Sequence, residues 1–193
     1  MAIVWIPSQN RRITDREEIA AFLAPHGIWH EVWPLEERVD VDASPDEILE
    51  KYAPEIEQMK ERGGFTTADV INVTPETPNL DELMKKYQSE HTHAEDEVRF
   101  IIKGRGLFHI HPSEGPVFAV ETEPGDLINV PKGTRHWFHL CEDRRIRAIR
   151  WFQNLAGWTP QYVDEGVHAA FAPLCWGPSQ VQRQVGIASS IAP

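Results

Sequence analysis

The chain has 193 residues, 41% of them hydrophobic, enough for an ordinary domain with a buried core and too apolar for a disordered segment. Acidic side chains number 30 against 19 basic ones, and the net charge of −11 argues against nucleic acid and anionic membrane surfaces as partners, since both demand basic patches. No stretch is long enough to span a bilayer, and the opening apolar run lacks the length and charged start of a secretory signal, so a cytoplasmic protein is expected.

Ile3 to Ile6 reads as a short strand stopped by Pro7. Thr14 and Glu17 have capping-box spacing ahead of Ile19, Phe22 and Leu23, and Pro25-His26-Gly27 ends that helix. Ile28 to Trp33 is extended; His30 within it has no second ligand at useful spacing and is read as an edge-strand histidine. Ser44-Pro45-Asp46-Glu47 is the strongest helix start in the chain, with a serine cap, proline at the first helical position and an acid closing the box. Ile48, Tyr52, Ile56 and Met59 then form an apolar stripe, read as core, and Gly63-Gly64 ends it. Asp69 to Val73 is a strand. Asn79 to Tyr87 is a second short helix with Asn79 and Glu82 placed as a cap, and it hands the chain to residue 91.

From there the texture changes. Short apolar runs (98–102, 107–110, 117–120, 127–130, 136–140 and 146–152) alternate with Gly/Pro punctuation, the pattern of an antiparallel sandwich or barrel. Val163 to Phe171 has the pattern of one more short helix, and the last dozen residues read as a surface tail. Cys141 and Cys175 are too few for a disulfide framework and lie in no CxxC pair, so they are expected to be reduced thiols.

The chemistry concentrates in His91-Thr92-His93-Ala94-Glu95-Asp96-Glu97. If the backbone stays extended, His91, His93 and Glu97 share one strand face, because side chains two and four apart point the same way. His136, in Pro131-Lys132-Gly133-Thr134-Arg135-His136, offers a fourth donor. Imidazoles with a carboxylate suit divalent Fe, Ni, Mn, Co or Zn, and the absence of cysteine among them argues against a structural zinc. Four protein ligands leave two positions open on an octahedral metal, as a catalytic metal needs for a bidentate substrate. His109 and His111 form a rival pair, but no carboxylate follows on their face and Pro112 ends the strand, so they are not read as ligands. His139 has the opposite strand parity to His136 and is placed on the surface or behind the ligands.

The HxH with Glu97, followed by Gly104 at a turn, and the second segment Gly125 to Pro131, Gly133 and His136 resemble the two cupin motifs. The pattern departs at Lys85, where a glycine is expected, and at Leu140, where an asparagine is expected. The resemblance implies a mainly β fold with some α: a cupin-type antiparallel β-barrel (double-stranded β-helix) with an N-terminal helical portion. One domain over 1–193 is expected, with an α+β portion to residue 88, the metal-binding barrel over 89–158 and a C-terminal segment over 159–193. Among cupins, the block His91-Thr92-His93 with Asp96-Glu97-Val98-Arg99-Phe100 is similar to the acireductone dioxygenase family. So are Gly125-Asp126, the stretch Pro131 to Phe138, and Ile149-Arg150-Trp151-Phe152 to Gly157-Trp158. The similarity extends to about Trp158.

That resemblance implies one Fe(II) or Ni(II) per chain on His91, His93, Glu97 and His136, with 1,2-dihydroxy-3-keto-5-methylthiopentene and O2 as substrates in methionine salvage. It implies formate and 4-methylthio-2-oxobutanoate with iron, formate, CO and 3-methylthiopropanoate with nickel, and a monomer. Arg99 shares a face with Glu97 and, as a buried arginine, needs an anion; the enediolate and a carboxylate such as Glu97 or Asp96 both remain open as its partner. Arg150 carries the same ambiguity. Phe138 and Trp158 are candidates to line an apolar pocket for the methylthioalkyl tail. Another cupin metalloenzyme, such as a thiol or flavonol dioxygenase or a sugar-phosphate isomerase, and a non-catalytic metal-binding cupin are the competing readings.

Overall fold

In the computed structural model, residues 1–35, 39–154, 159–163 and 166–177 are described. Helices occupy the front half: α1 (Arg16–Leu23), α2 (Pro45–Lys51), α3 (Ala53–Gly63) and α4 (Leu80–Gln88). Among them run β1 (Ile3–Ile6), β2 (Arg11–Ile13), β3 (Trp29–Val32) and β4 (Thr67–Val73). Then follow β5 (His91–Thr92), β6 (Glu97–Gly104), β7 (Gly106–His111), β8 (Phe118–Thr122), β9 (Asp126–Val130), β10 (Arg135–Leu140), β11 (Ile146–Phe152) and β12 (Gln161–Tyr162).

The strands form two sheets, ordered β12-β5-β10-β7-β8-β1-β2 and β3-β9-β6-β11-β4, and every described pairing is antiparallel. The expected cupin-type barrel thus takes the form of two facing sheets, whose ladders do not join into one cylinder among the described residues. Between them, Val4, Ile6, Phe108, Ile110, Phe118 and Val120 of the first sheet meet Ile128 and Val130 of the second. At the other end of the gap, Leu80 and Met84 of α4 pack with Ile101, Ile146 and Ala148. The outer face of the second sheet (Val98, Phe100, Ile102, Ile149, Trp151) is covered by Ile48, Tyr52, Ile56 and Met59. Fully burying an apolar side chain of this size stabilises the fold by about 1.5–3 kcal/mol, which is why these helices stay docked. No helix among the described residues is long and apolar enough to cross a membrane.

Several local expectations change. The cap of α1 is Asp15, whose carboxylate accepts the N–H groups of Glu17 and Glu18, not Thr14. Ser44 and Glu47 do close the capping box of α2. The apolar stripe spans two helices broken at Tyr52, because Pro54 brings no N–H and disfavours helical geometry before it. Asn79 sits at the start of α4 in a left-handed conformation (φ 54°) with no side-chain cap bond. The expected helix near 163–171 is a single 3-10 turn, Val167–Ala170, and residues 164 and 165 lie outside the described residues. So does the expected C-terminal tail. Gly104 (φ +76°) must be glycine: a Cβ there would lie 2.0 Å from the Arg145 carbonyl oxygen.

Cys141 and Cys175 are not reduced thiols here. They form a disulfide across 34 residues of sequence, with Cα atoms 5.8 Å apart. The pairing depends on the segment 166–177 lying back over the first sheet, a tertiary event that no local spacing announces.

Candidate metal centre

The ligand stretch is not one extended strand. β5 ends at Thr92 in the first sheet, the chain turns through residues 93–96, and β6 begins at Glu97 in the second sheet. The turn is held from the neighbouring loop: Gly133 N–H donates to the His93 carbonyl at 2.9 Å. Lys132 N–H donates to the Asp96 carboxylate at 2.9 Å. Shared parity is therefore not what gathers the donors. The corner between the sheets does it, with His91 paired directly across from His136.

His91, His93 and His136 each bring a ring nitrogen within 4.8 Å of the others, and all three are buried. The Nε2 atoms of His136 and His93 lie 3.0 and 3.3 Å from Glu97 Oε2. His91 Nδ1 is 2.7 Å from the Ser89 carbonyl, and His136 Nδ1 is 2.8 Å from the Thr134 carbonyl. A carbonyl only accepts, so each Nδ1 carries the proton and a neutral ring turns its Nε2 lone pair inward. For His136 that lone pair faces a carboxylate oxygen. Two acceptors at such range repel, and a cation between them removes the conflict. The donor set thus fits a divalent metal on chemical grounds as well as on spacing.

Burial, reinforced by the charge that His136 would carry, lowers His91 to about 4, so the ring is neutral and ligand-ready at pH 7. Burial alone would raise the Glu97 carboxyl, but the charge of neighbouring Arg99 outweighs it and holds the carboxyl well below the usual carboxylate range. Arg99 is lowered to about 10 by burial, against the pull of Glu97 and with a further push from Arg150, and stays charged.

The centre opens into a cavity of about 170 Å³. Its polar end is made by His91, Glu97, Arg99 and Arg150; its walls include Leu83 and Met84 of α4, with Phe138 of β10 opposite. Arg99 Nη2 lies 3.1 Å from Glu97 Oε1 and Nη1 donates to the Val98 carbonyl at 3.3 Å. Asp96 instead accepts from Lys132. Arg150 makes a bidentate pair with Asp69, at 2.7 and 2.6 Å. The two arginines are cross-strand partners on β6 and β11.

His109, His111 and His139 lie away from this centre. His109 stacks on Trp137 at 4.9 Å, His139 meets His109 edge-on at 5.7 Å, and His111 Nδ1 is 2.6 Å from Glu90. His30, on the edge strand β3, pairs with buried Asp126 at 2.8 Å. Trp158 lies outside the described residues. The α4 wall was not anticipated from the sequence, although Leu80, Leu83, Met84 and Tyr87 have the helical spacing of a buried stripe. Asp69 carries no sequence signal, since its role comes from pairing with β11.

Residues 7–160 match the model of the ARD/ARD' family. The acireductone dioxygenase of Exiguobacterium sibiricum is 43% identical over 178 residues, covering 88% of this chain and 99% of the relative. That of Stutzerimonas stutzeri is 44% identical over 169 residues, covering 87% and 93%. A solved acireductone dioxygenase from Bacillus anthracis, with a cadmium ion in its active centre, superposes with a TM-score of 0.78 at 41% identity, over 84% of this chain and 98% of that one. Taken with the facing sheets and the three-histidine corner, these likenesses establish that the chain belongs to the ARD/ARD' family of acireductone dioxygenases.

Proposed function

We propose that His91, His93, Glu97 and His136 hold one Fe(II) or Ni(II) per chain, and that the protein uses O2 to cleave 1,2-dihydroxy-3-keto-5-methylthiopentene in methionine salvage. The observation that carries this reading is the inward-facing set of three buried imidazoles and one ionised carboxylate at the end of a cavity bearing two arginines. When bound, the metal supplies Lewis acidity and two open positions suited to the vicinal oxygens of an enediol.

The chain's own residues do the rest. Glu97, kept ionised by Arg99, is the anionic ligand that the three imidazoles do not provide. Arg99 and Arg150 line the polar end and stabilise the negative charge of the enediolate, for which fixed donors in a dry site are worth far more than in water. Phe138 receives the methylthioalkyl tail, and the α4 side chains exclude water. With iron, substrate and O2 give formate and 4-methylthio-2-oxobutanoate; with nickel they give formate, CO and 3-methylthiopropanoate. The protein acts as a cytoplasmic monomer on this reading.

The test is direct. Anaerobically prepared acireductone is mixed with air and the Fe-loaded protein, and its loss is followed beside a His93→Ala variant. The wild type consumes it far faster, and product analysis after Fe or Ni loading separates the two outcomes. Equal rates in the two proteins overturn the proposal.

A further inference from the structure

A second donor cluster lies on the outer face of the first sheet, away from the metal centre. Residues 166–177 run across this face as a strap. Phe171 packs on Trp137 at 5.8 Å, Trp176 meets Trp5 at 5.4 Å, and the Arg12 guanidinium lies 4.4 Å above the Trp176 ring. Glu121 holds the strap at Trp176 and Gly177, its carboxylate accepting their N–H groups at 2.6 and 3.2 Å. There a carboxylate oxygen of Glu121 and the sulfurs of Cys141 and Cys175 all lie within 4.8 Å of one another. Glu121 and Cys141 are each only 3% exposed.

We propose that in the reduced chain this cluster is a second cation site. The thiolates of Cys141 and Cys175 and Oε2 of Glu121 hold a thiophilic d10 divalent ion such as Zn(II), and the disulfide is the oxidised form of the same clip. Two thiolates and a carboxylate are a donor set for such ions, with water completing a tetrahedron. The sulfurs of two cysteines on one tetrahedral ion lie roughly 3.8 Å apart for bonds of about 2.3 Å, within reach of residues whose Cα atoms are 5.8 Å apart. Oε1 of Glu121 already accepts from Arg105 at 2.7 Å and from Gly177, whereas Oε2 accepts only from Trp176 among the bonds described and keeps a lone pair. The charges also close: two thiolates and Glu121 bring −3, Arg105 brings +1, and the ion brings +2. A buried site that is neutral overall avoids the cost of an uncompensated charge.

The interconversion balances. A dithiol reductant passes two electrons and two protons to the cystine, becoming a disulfide itself and leaving Cys141 and Cys175 as thiols. The divalent ion then displaces the two protons. Either state keeps the strap on the sheet, so the clip survives a reducing environment that opens the disulfide.

The metal centre contains no sulfur among its candidate ligands, so a thiolate-to-cadmium ultraviolet charge-transfer band reports on this cluster alone. The full chain, loaded with Ni(II), is reduced with a phosphine, desalted without air and titrated with Cd(II). The expected band saturates at one equivalent, yields to added Zn(II), and is absent from the oxidised chain and from Cys175→Ser and Cys141→Ser variants. Glu121→Gln keeps the band with affinity weakened at least tenfold. No band in the reduced wild type, or a band that persists in either serine variant, overturns the proposal. Unchanged affinity in Glu121→Gln removes the carboxylate from it. The wild-type comparison of reduced and oxidised chains needs no variant to fold.

Discussion

His109 offers a test of the fold in which the metal plays no part. Its ring is 2% exposed, stacked on Trp137 with planes 5° apart, beneath the C-terminal strap. Burial, and secondarily the charge of neighbouring His139, lower it to about 3, against a partial opposing pull from the Ala172 carbonyl. The unfolded chain has an ordinary histidine near 6.5. The folded value lies below the unfolded one, so between those values the unfolded state binds the extra proton and stability falls as pH falls. At pH 5 the unfolded chain has gained 1.5 pH units of protonation that the native ring refuses, worth about 2 kcal/mol. Below about 3 the native ring protonates too and no more is lost. The perturbation is His109→Phe, which keeps a flat ring against Trp137 and removes the titration. Denaturant unfolding of the metal-free, disulfide-intact proteins at pH 7.5 and pH 5 gives the measurement. Wild type should lose about 2 kcal/mol more than the variant over that interval. The other histidines contribute to both proteins and cancel in the double difference. Equal losses would refute the claim that the strap holds this ring neutral.

Arg150→Met should lower kcat/KM roughly 100-fold, the effect of losing one charge-assisted contact of about 2–3 kcal/mol in a buried site, with metal content unchanged; parallel loss of metal would assign Arg150 a structural role instead. Gly104→Ala should cost about 2 kcal/mol or more in denaturant unfolding, since the residue has positive φ and the new methyl would meet the Arg145 carbonyl; an unshifted midpoint contradicts the turn described. Stripping the metal with a chelator should lower the unfolding free energy by about 4 kcal/mol relative to protein held at a thousandfold its Kd for the ion, seen as a fall in Tm that Ni(II) reverses. An unchanged Tm would show that the four donors do not bind a metal.

The strand-rich second half was readable because its code is local: apolar runs of four to seven residues between glycine and proline turns, each reappearing as a strand. The capping box at Ser44 was readable for the same reason. The three clustered histidines, with Glu97 beside them, are recognisable by residue type and spacing, but shared strand parity is not what brings them together. His91 and Glu97 are on different sheets, and the turn between them is held by backbone contacts from Lys132 and Gly133. What could not be read is what depends on long-range pairing. The Cys141–Cys175 bond needs the strap to fold back, and the Asp69 partner of Arg150 needs β4 to lie beside β11. The same holds for Glu90, wholly buried one residue before the first imidazole and bound to His111. The rival HxH pair is thus accounted for by support and packing on the far side of the sheet.

The paired arginines make sense only when the site is considered with its proposed occupants. Arg99 and Arg150 face each other across adjacent strands and push on one another. Two guanidinium groups side by side in a cavity are unfavourable unless anions answer them. Glu97 and Asp69 answer them one for one, so the two arginine–carboxylate pairs of the polar end carry no net charge. A structural purpose would be served by that balance alone, and by apolar residues better still. Adding a divalent metal leaves +2 at the end of a small, largely apolar cavity. A neutral sugar would not restore the balance there, and a monoanion would do so only in part. A fully ionised enediol would, and its two adjacent oxygens are what a metal with two open positions can chelate. On the proposed reading it is the charge of the metal, undiminished because each arginine is already answered, that calls for a dianionic enediolate, and Arg150 is the sharper test of the polar end, because Arg99 is also needed to keep Glu97 ionised.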